Sequence, residues 1–166
     1  LLATHWSLSA NWLFGAIHEK GFARPAFEVL RLVGEALHGV LIPTSVQAQT
    51  VAVKGIGQVS SQDAMPLIEA MATRAPSDRS GFSIVRVLLI NKDPQRAARG
   101  VLPLTAINPM RASLSILSSS SLFSANDLEG ALTRSETVLE APEGRLPLHL
   151  PAHSVALLSI QIPQSK

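Results

Sequence analysis

Phe82-Ser83-Ile84-Val85-Arg86-Val87-Leu88-Leu89-Ile90-Asn91 decides the fold. It is an almost unbroken apolar run with Arg86 as its main interruption. A strand with one wet face would alternate, so this run reads as a central strand buried on both faces. Turn chemistry bounds it: Pro76-Ser77-Asp78-Arg79-Ser80-Gly81 before, and Asn91-Lys92-Asp93-Pro94 after. Asn108-Pro109 and Pro142-Glu143-Gly144 mark two further reversals, because Asx side chains bond their own backbone, Pro presets φ and Gly tolerates positive φ. The runs between these signals predict strands over 45–51, 67–75, 82–91, 100–107, 111–118, 134–140, 145–150 and 154–162. Leu114 and Ile116 alternate with Ser113 and Ser115, as in a strand with one wet face, and Leu146, Leu148 and Leu150 alternate likewise. Pro103 and Pro147 cannot donate to a ladder, which sends their strands to an edge or bulge. The stretch 118–130 reads as a polar loop. About eight short antiparallel strands make the chain mainly β, with a β-sandwich as its architecture.

The chain before residue 43 differs. It holds one of the eleven prolines and, in Trp6, Trp12, Phe14, Phe22 and Phe27, most of the two Trp and five Phe. The run 1–8 reads as extended, and 11–17 as an aromatic loop or strand end. Arg24-Pro25 opens a helix, since Pro at the first helical position gives up an N–H that has no intrahelical partner. Ala26, Val29, Leu30, Val33, Ala36 and Leu37 recur at helical steps, and Phe27, Leu32, Val40 and Leu41 widen the apolar face beyond one stripe. Gly39 ends the helix and Pro43 prevents its resumption. So apolar a helix expects to be covered. The organisation expected is a strand–loop–helix unit over 1–42 and a β-domain over 43–166.

Composition excludes several functions. With 166 residues, 46% hydrophobic and 16% charged, the chain is sized for a packed core and is too apolar for disorder. Absence of Cys excludes disulfides, thiolate metal sites and a catalytic thiol. The net charge of +2 comes from scattered basic residues, so no nucleic-acid partner is expected. No apolar stretch approaches the ~20 residues of a membrane span, and 1–17 lacks the basic and small-residue flanks of a signal peptide, so no membrane partner is expected.

The chemistry-bearing residues do not assemble into a familiar constellation. Glu19, Asp63, Asp78, Asp93, Asp127 and Glu143 fall in turn-like segments. Glu28 and Glu35 read as the helix's polar side, and Glu69, Glu136 and Glu140 as solvent-facing strand positions. His149 and His153 have zinc-like spacing, but Pro151 between them opposes a helix and no third ligand is near, so neither a metal nor a cofactor is expected. His153 fits a turn entering the last strand. Ser154 lacks a nucleophile elbow, and Gly55-Ile56-Gly57 lacks the third glycine of a dinucleotide loop. The stretch His5-Trp6-Ser7-Leu8-Ser9-Ala10-Asn11-Trp12-Leu13-Phe14-Gly15 stands apart. Its tryptophans and polar neighbours suit a sugar cleft, with rings against C–H bonds and His, Ser or Asn bonding hydroxyls; the alternative is that the aromatics fill core.

Together these segments resemble the end of a clan-A glycoside hydrolase. His5-Trp6-Ser7-Leu8, Asn11-Trp12-Leu13-Phe14-Gly15-Ala16-Ile17 and Arg24-Pro25-Ala26-Phe27 resemble the last strand, loop and helix of its (β/α)8 barrel. Val87-Leu88-Leu89-Ile90-Asn91-Lys92 resembles a strand of its C-terminal β-domain, and Leu148-His149-Leu150-Pro151-Ala152-His153-Ser154-Val155-Ala156-Leu157-Leu158 resembles that domain's ending. The closest resemblance is to family 51 α-L-arabinofuranosidases, with family 39 xylosidases second. The resemblance implies a retaining hydrolase whose two catalytic glutamates lie upstream of Leu1, leaving no catalytic residue in this chain. It also implies that 1–8 is the eighth barrel strand and 24–38 the eighth helix. Barrel active sites form at strand C-terminal ends. The resemblance therefore nominates Trp6, with His5 and Asn11, as substrate-binding in the intact enzyme, whose partner is a carbohydrate. The alternative function is a stand-alone carbohydrate-binding or structural β-sandwich interaction domain; the absence of Tyr and of Trp beyond Trp12 speaks against the carbohydrate-binding form.

Overall fold

A computed structural model describes residues 7–9, 15–78, 81–104, 111–121 and 132–164. The chain order is β1 (Ser7–Ser9), β2 (Gly15–Ile17), α1 (Pro25–Ala36), β3 (Val40–Ile42), β4 (Thr50–Val53), β5 (Gln62–Pro66), β6 (Ile68–Pro76), β7 (Phe82–Asn91), β8 (Ala98–Pro103), β9 (Arg111–Ser119), β10 (Leu132–Leu139), β11 (Arg145–Leu150) and β12 (Ser154–Pro163).

Six strands form one antiparallel sheet in the order β10-β9-β12-β7-β6-β3. The expected central strand, β7, lies between β12 and β6, paired with β12 along its whole length, from Ser154 opposite Asn91 to Pro163 opposite Phe82. Its residues alternate between two apolar surroundings. Val85, Val87 and Leu89 join Leu114, Ala156, Leu158 and Ile160 against Leu146 and Leu150 of β11. Leu88 points the other way, joining Leu157 and Leu117 against Leu32 and Ala36 of α1. Burial on both faces explains why the sequence of β7 does not alternate.

The second strand layer is the two-stranded pair β11-β8, and it carries Pro103 and Pro147, with Pro147 opposite Val101 and Arg145 opposite Pro103. A pair with two open edges tolerates prolines that a central strand would not. The architecture is thus a mainly β sandwich, lopsided in strand number, with a helix on its outer face.

Four expectations are corrected. First, α1 ends at Ala36, and Val40 and Leu41 lie in β3 on the sheet edge instead of on the helix. At Gly39 the backbone turns with φ +126, and a Cβ would stand 2.5 Å from the carbonyl oxygen of Arg74, so the chain leaves the helix where only glycine fits. Secondly, the expected strand over 45–51 begins late: β4 starts at Thr50 and forms a hairpin with β5. The polar sequence Gln62-Asp63-Ala64-Met65-Pro66 gives no local strand signal. Thirdly, Gly15–Ile17 is a strand, parallel to β1, with Ser7 opposite Gly15 and Ser9 opposite Ile17. Fourthly, Ser115 is not wet: it is buried and accepts a hydrogen bond from Arg134 Nε at 2.9 Å.

Candidate functional site

Among the described residues, polar chemistry or open space gathers at the N-terminal strand–turn–helix, at a knot of polar side chains joining three turns, and in a groove between the two strand layers.

The N-terminal unit is tightly built where it is described. Ala16 is buried, and its carbonyl accepts the Arg24 N–H at 2.9 Å. Arg24 Nη1 donates to the Gly15 carbonyl at 3.4 Å. Between them His18 and Phe22 stack with ring centroids 4.3 Å apart, while the His18 N–H donates to the Phe22 carbonyl. The short turn positions Pro25 to start α1, and Thr73 Oγ1 of β6 donates to the Ala36 carbonyl at its far end. That hydroxyl satisfies a carbonyl that a helix C-terminus leaves without an intrahelical partner. The nominated sugar-binding residues His5, Trp6 and Asn11 lie outside the described residues, as does Trp12.

The polar knot gathers residues from both β-domain motifs. Asn91 is only 2% exposed. Its Nδ2 faces the carbonyls of Pro151 (2.7 Å), Arg96 (3.0 Å) and Leu150 (3.4 Å), and its Oδ1 accepts the Asp93 N–H at 3.1 Å. Asp93 Oδ1 accepts the N–H groups of Gln95 and Arg96, both at 2.9 Å, and Oδ2 accepts Arg96 Nε at 3.1 Å. The Gln95 N–H, then the backbone and guanidinium of Arg96, hold the Asp93 carboxyl below its usual range against the opposing effect of burial. His153 adopts φ 39, and its N–H donates to the Asp93 carbonyl at 2.8 Å. Its ring sits between the Pro94 carbonyl (Nδ1, 3.1 Å) and the Ser119 carbonyl (Nε2, 2.9 Å). Ser154 Oγ donates to the Pro151 carbonyl at 2.7 Å. The donors and acceptors of this knot are engaged with one another, so its chemistry is structural: it locks the ends of β7, β9 and β11 to the start of β12. His153 occupies the turn expected for it.

The groove, of about 820 Å³, has Ala70, Val87, Leu89 and Leu158 in its floor, with the extended segment 44–49 along one wall and β8 along the other. Arg99 and Arg145 also line it. It depends on the pairing of β8 with β11, which no local sequence signal specifies.

Several of the described carboxylates form ion pairs. Glu28 and Glu35 flank Arg31 on α1, and Arg134 lies 3.7 Å from both Glu35 and Glu136. Glu69 lies 2.7 Å from Lys92. Among the described residues no group of three His, Asp or Glu could hold a metal ion, and no helix is long and apolar enough to cross a membrane.

No protein-family model and no curated protein matches the chain. Solved structures do. An α-L-arabinofuranosidase from Thermotoga maritima in complex with arabinose superposes with a TM-score of 0.69 at 17% identity, over 89% of this chain and 32% of its own. The family 51 enzyme AbfB from Bifidobacterium longum gives 0.70 at 16% identity, over 89% of this chain and 28% of its own. The family 51 arabinofuranosidase from Xanthomonas axonopodis pv. citri gives 0.67 at 19%, over 90% and 29%. The chain spans about three tenths of the length of these enzymes. By fold, this chain resembles family 51 α-L-arabinofuranosidases.

Proposed function

We propose that this chain is the C-terminal accessory β-domain, with the last strand and helix of the catalytic barrel, of a retaining glycoside hydrolase acting on arabinofuranosides or related plant polysaccharide side chains. One observation carries the reading: a superposition spanning about nine tenths of the chain uses only about three tenths of each arabinofuranosidase. In this reading residues 1–42 are the barrel remnant and 43–166 the accessory domain. Two features of the N-terminal unit support that division. β1 and β2 are parallel, as barrel strands are, and each is only three residues long, too short a pair to stand as a sheet by itself. Helix α1 is also apolar on the side away from the sheet, where Leu30 is 45% and Leu37 53% exposed.

The catalytic glutamates belong to barrel strands encoded upstream of Leu1, and Trp6, with His5 and Asn11, lines the sugar subsite of the complete enzyme. The sandwich supports the barrel and does not itself catalyse. The experiment compares hydrolysis of an aryl α-L-arabinofuranoside by this chain and by a protein extended through its upstream coding sequence. The expected result is turnover by the extended protein alone. Turnover by purified 1–166, or an upstream sequence without barrel strands bearing a glutamate pair, overturns the proposal. In the extended protein Trp6→Ala is expected to raise KM by about tenfold, the loss of roughly 1.4 kcal/mol of stacking against the sugar.

A further inference from the structure

We draw no further inference here: the strongest candidate, the groove between β8 and the extended segment 44–49 over Ala70, Val87 and Leu89, is an unpartnered apolar face, and nothing in the structure shows what covers it.

Discussion

The two faces of the six-stranded sheet are covered by different means. On one, Leu146 and Leu150 of β11 meet Val87, Leu89, Leu114 and Leu158, so strands close upon strands. On the other, Leu32 and Ala36 of α1 meet Leu88, Leu117 and Leu157, and beyond the helix the apolar side chains of Leu30 and Leu37 stand in the open. The first face is a core completed by the β-domain. In the proposed reading the second is a joint, where a helix apolar on both sides would mediate between this sheet and the barrel. The same strands, β7 and β12, serve both faces, and in the proposed reading their alternation divides a supporting module from its attachment.

The largest test of that contrast is a pair of truncations. Leu158 is fully buried at the centre of the strand-covered face, packed with side chains of β7, β9 and β11 beneath the groove. Leu158→Ala is expected to cost about 4 kcal/mol in denaturant unfolding, near the upper part of the usual range. Leu32, 1% exposed, sits on a helix that can settle toward the sheet, and Leu32→Ala is expected to cost about 2.5 kcal/mol. Equal or reversed costs would break the distinction between core and joint.

A smaller effect isolates the joint from hydrophobic burial. Thr73 is buried on the α1 side of β6, and its hydroxyl donates to the carbonyls of Ala36 and, at 3.4 Å, His38. Thr73→Val keeps shape and removes the side-chain donor to the Ala36 carbonyl, while the His38 carbonyl keeps Arg86 Nη1 at 3.5 Å, at a cost of about 1–2 kcal/mol. Amide exchange is the readout: protection should fall in α1 and remain in β7 and β12. Uniform loss across both would mean that helix and sheet unfold as one unit, and that α1 is not a separable joint.

How much of this could be read from the residues follows from where the deciding forces act. The unbroken run of β7, the prolines of β8 and β11 and Pro25 at the start of α1 are local signals, and each led to the right element. What failed was decided at a distance. Val40 and Leu41 look like more helix, but Gly39 meets the Arg74 carbonyl at the sheet edge and the chain turns there into β3. Gln62–Pro66 has no strand propensity and is a strand because β4 pairs with it. Ser115 looks solvent-facing until Arg134, from the neighbouring strand, covers it. The polar knot was half legible. Asn91 and His153 stood inside the two motifs that carried the resemblance to glycoside hydrolases, but only the fold shows the Asn91 amide bonding the Leu150 and Pro151 carbonyls, so that the two motifs form one structural unit.

That unit makes the strand-covered side sensitive to acid. The Asp93 carboxyl is held below its usual range by the Gln95 and Arg96 N–H groups and by the Arg96 guanidinium. A depressed folded value means the unfolded chain takes up this proton first. The stabilisation is therefore complete above the ordinary carboxylate pKa of about 4 and is lost as pH falls below it. Melting temperature should drop with acidification more steeply in the native chain than in Asp93→Asn, which cannot titrate. Parallel profiles would mean that the carboxylate contributes nothing to locking β7 and β12 together.

The smallest effect on this chain is the sharpest test of the joint. Leu30 and Leu37 are exposed, so the double change Leu30→Ser, Leu37→Ser should leave the unfolding free energy of residues 1–166 within about 0.5 kcal/mol. An apolar stripe left open favours self-association, so sedimentation of the native chain should show concentration-dependent oligomers that the double variant loses. In a protein extended upstream, where a barrel would bury the same leucines, the change should instead cost about 1.5–3 kcal/mol for each leucine fully covered. The comparison turns on that difference between contexts. If the double variant is as harmless in the extended protein as in this chain, nothing packs on the outer side of α1, and the helix belongs to the sandwich alone.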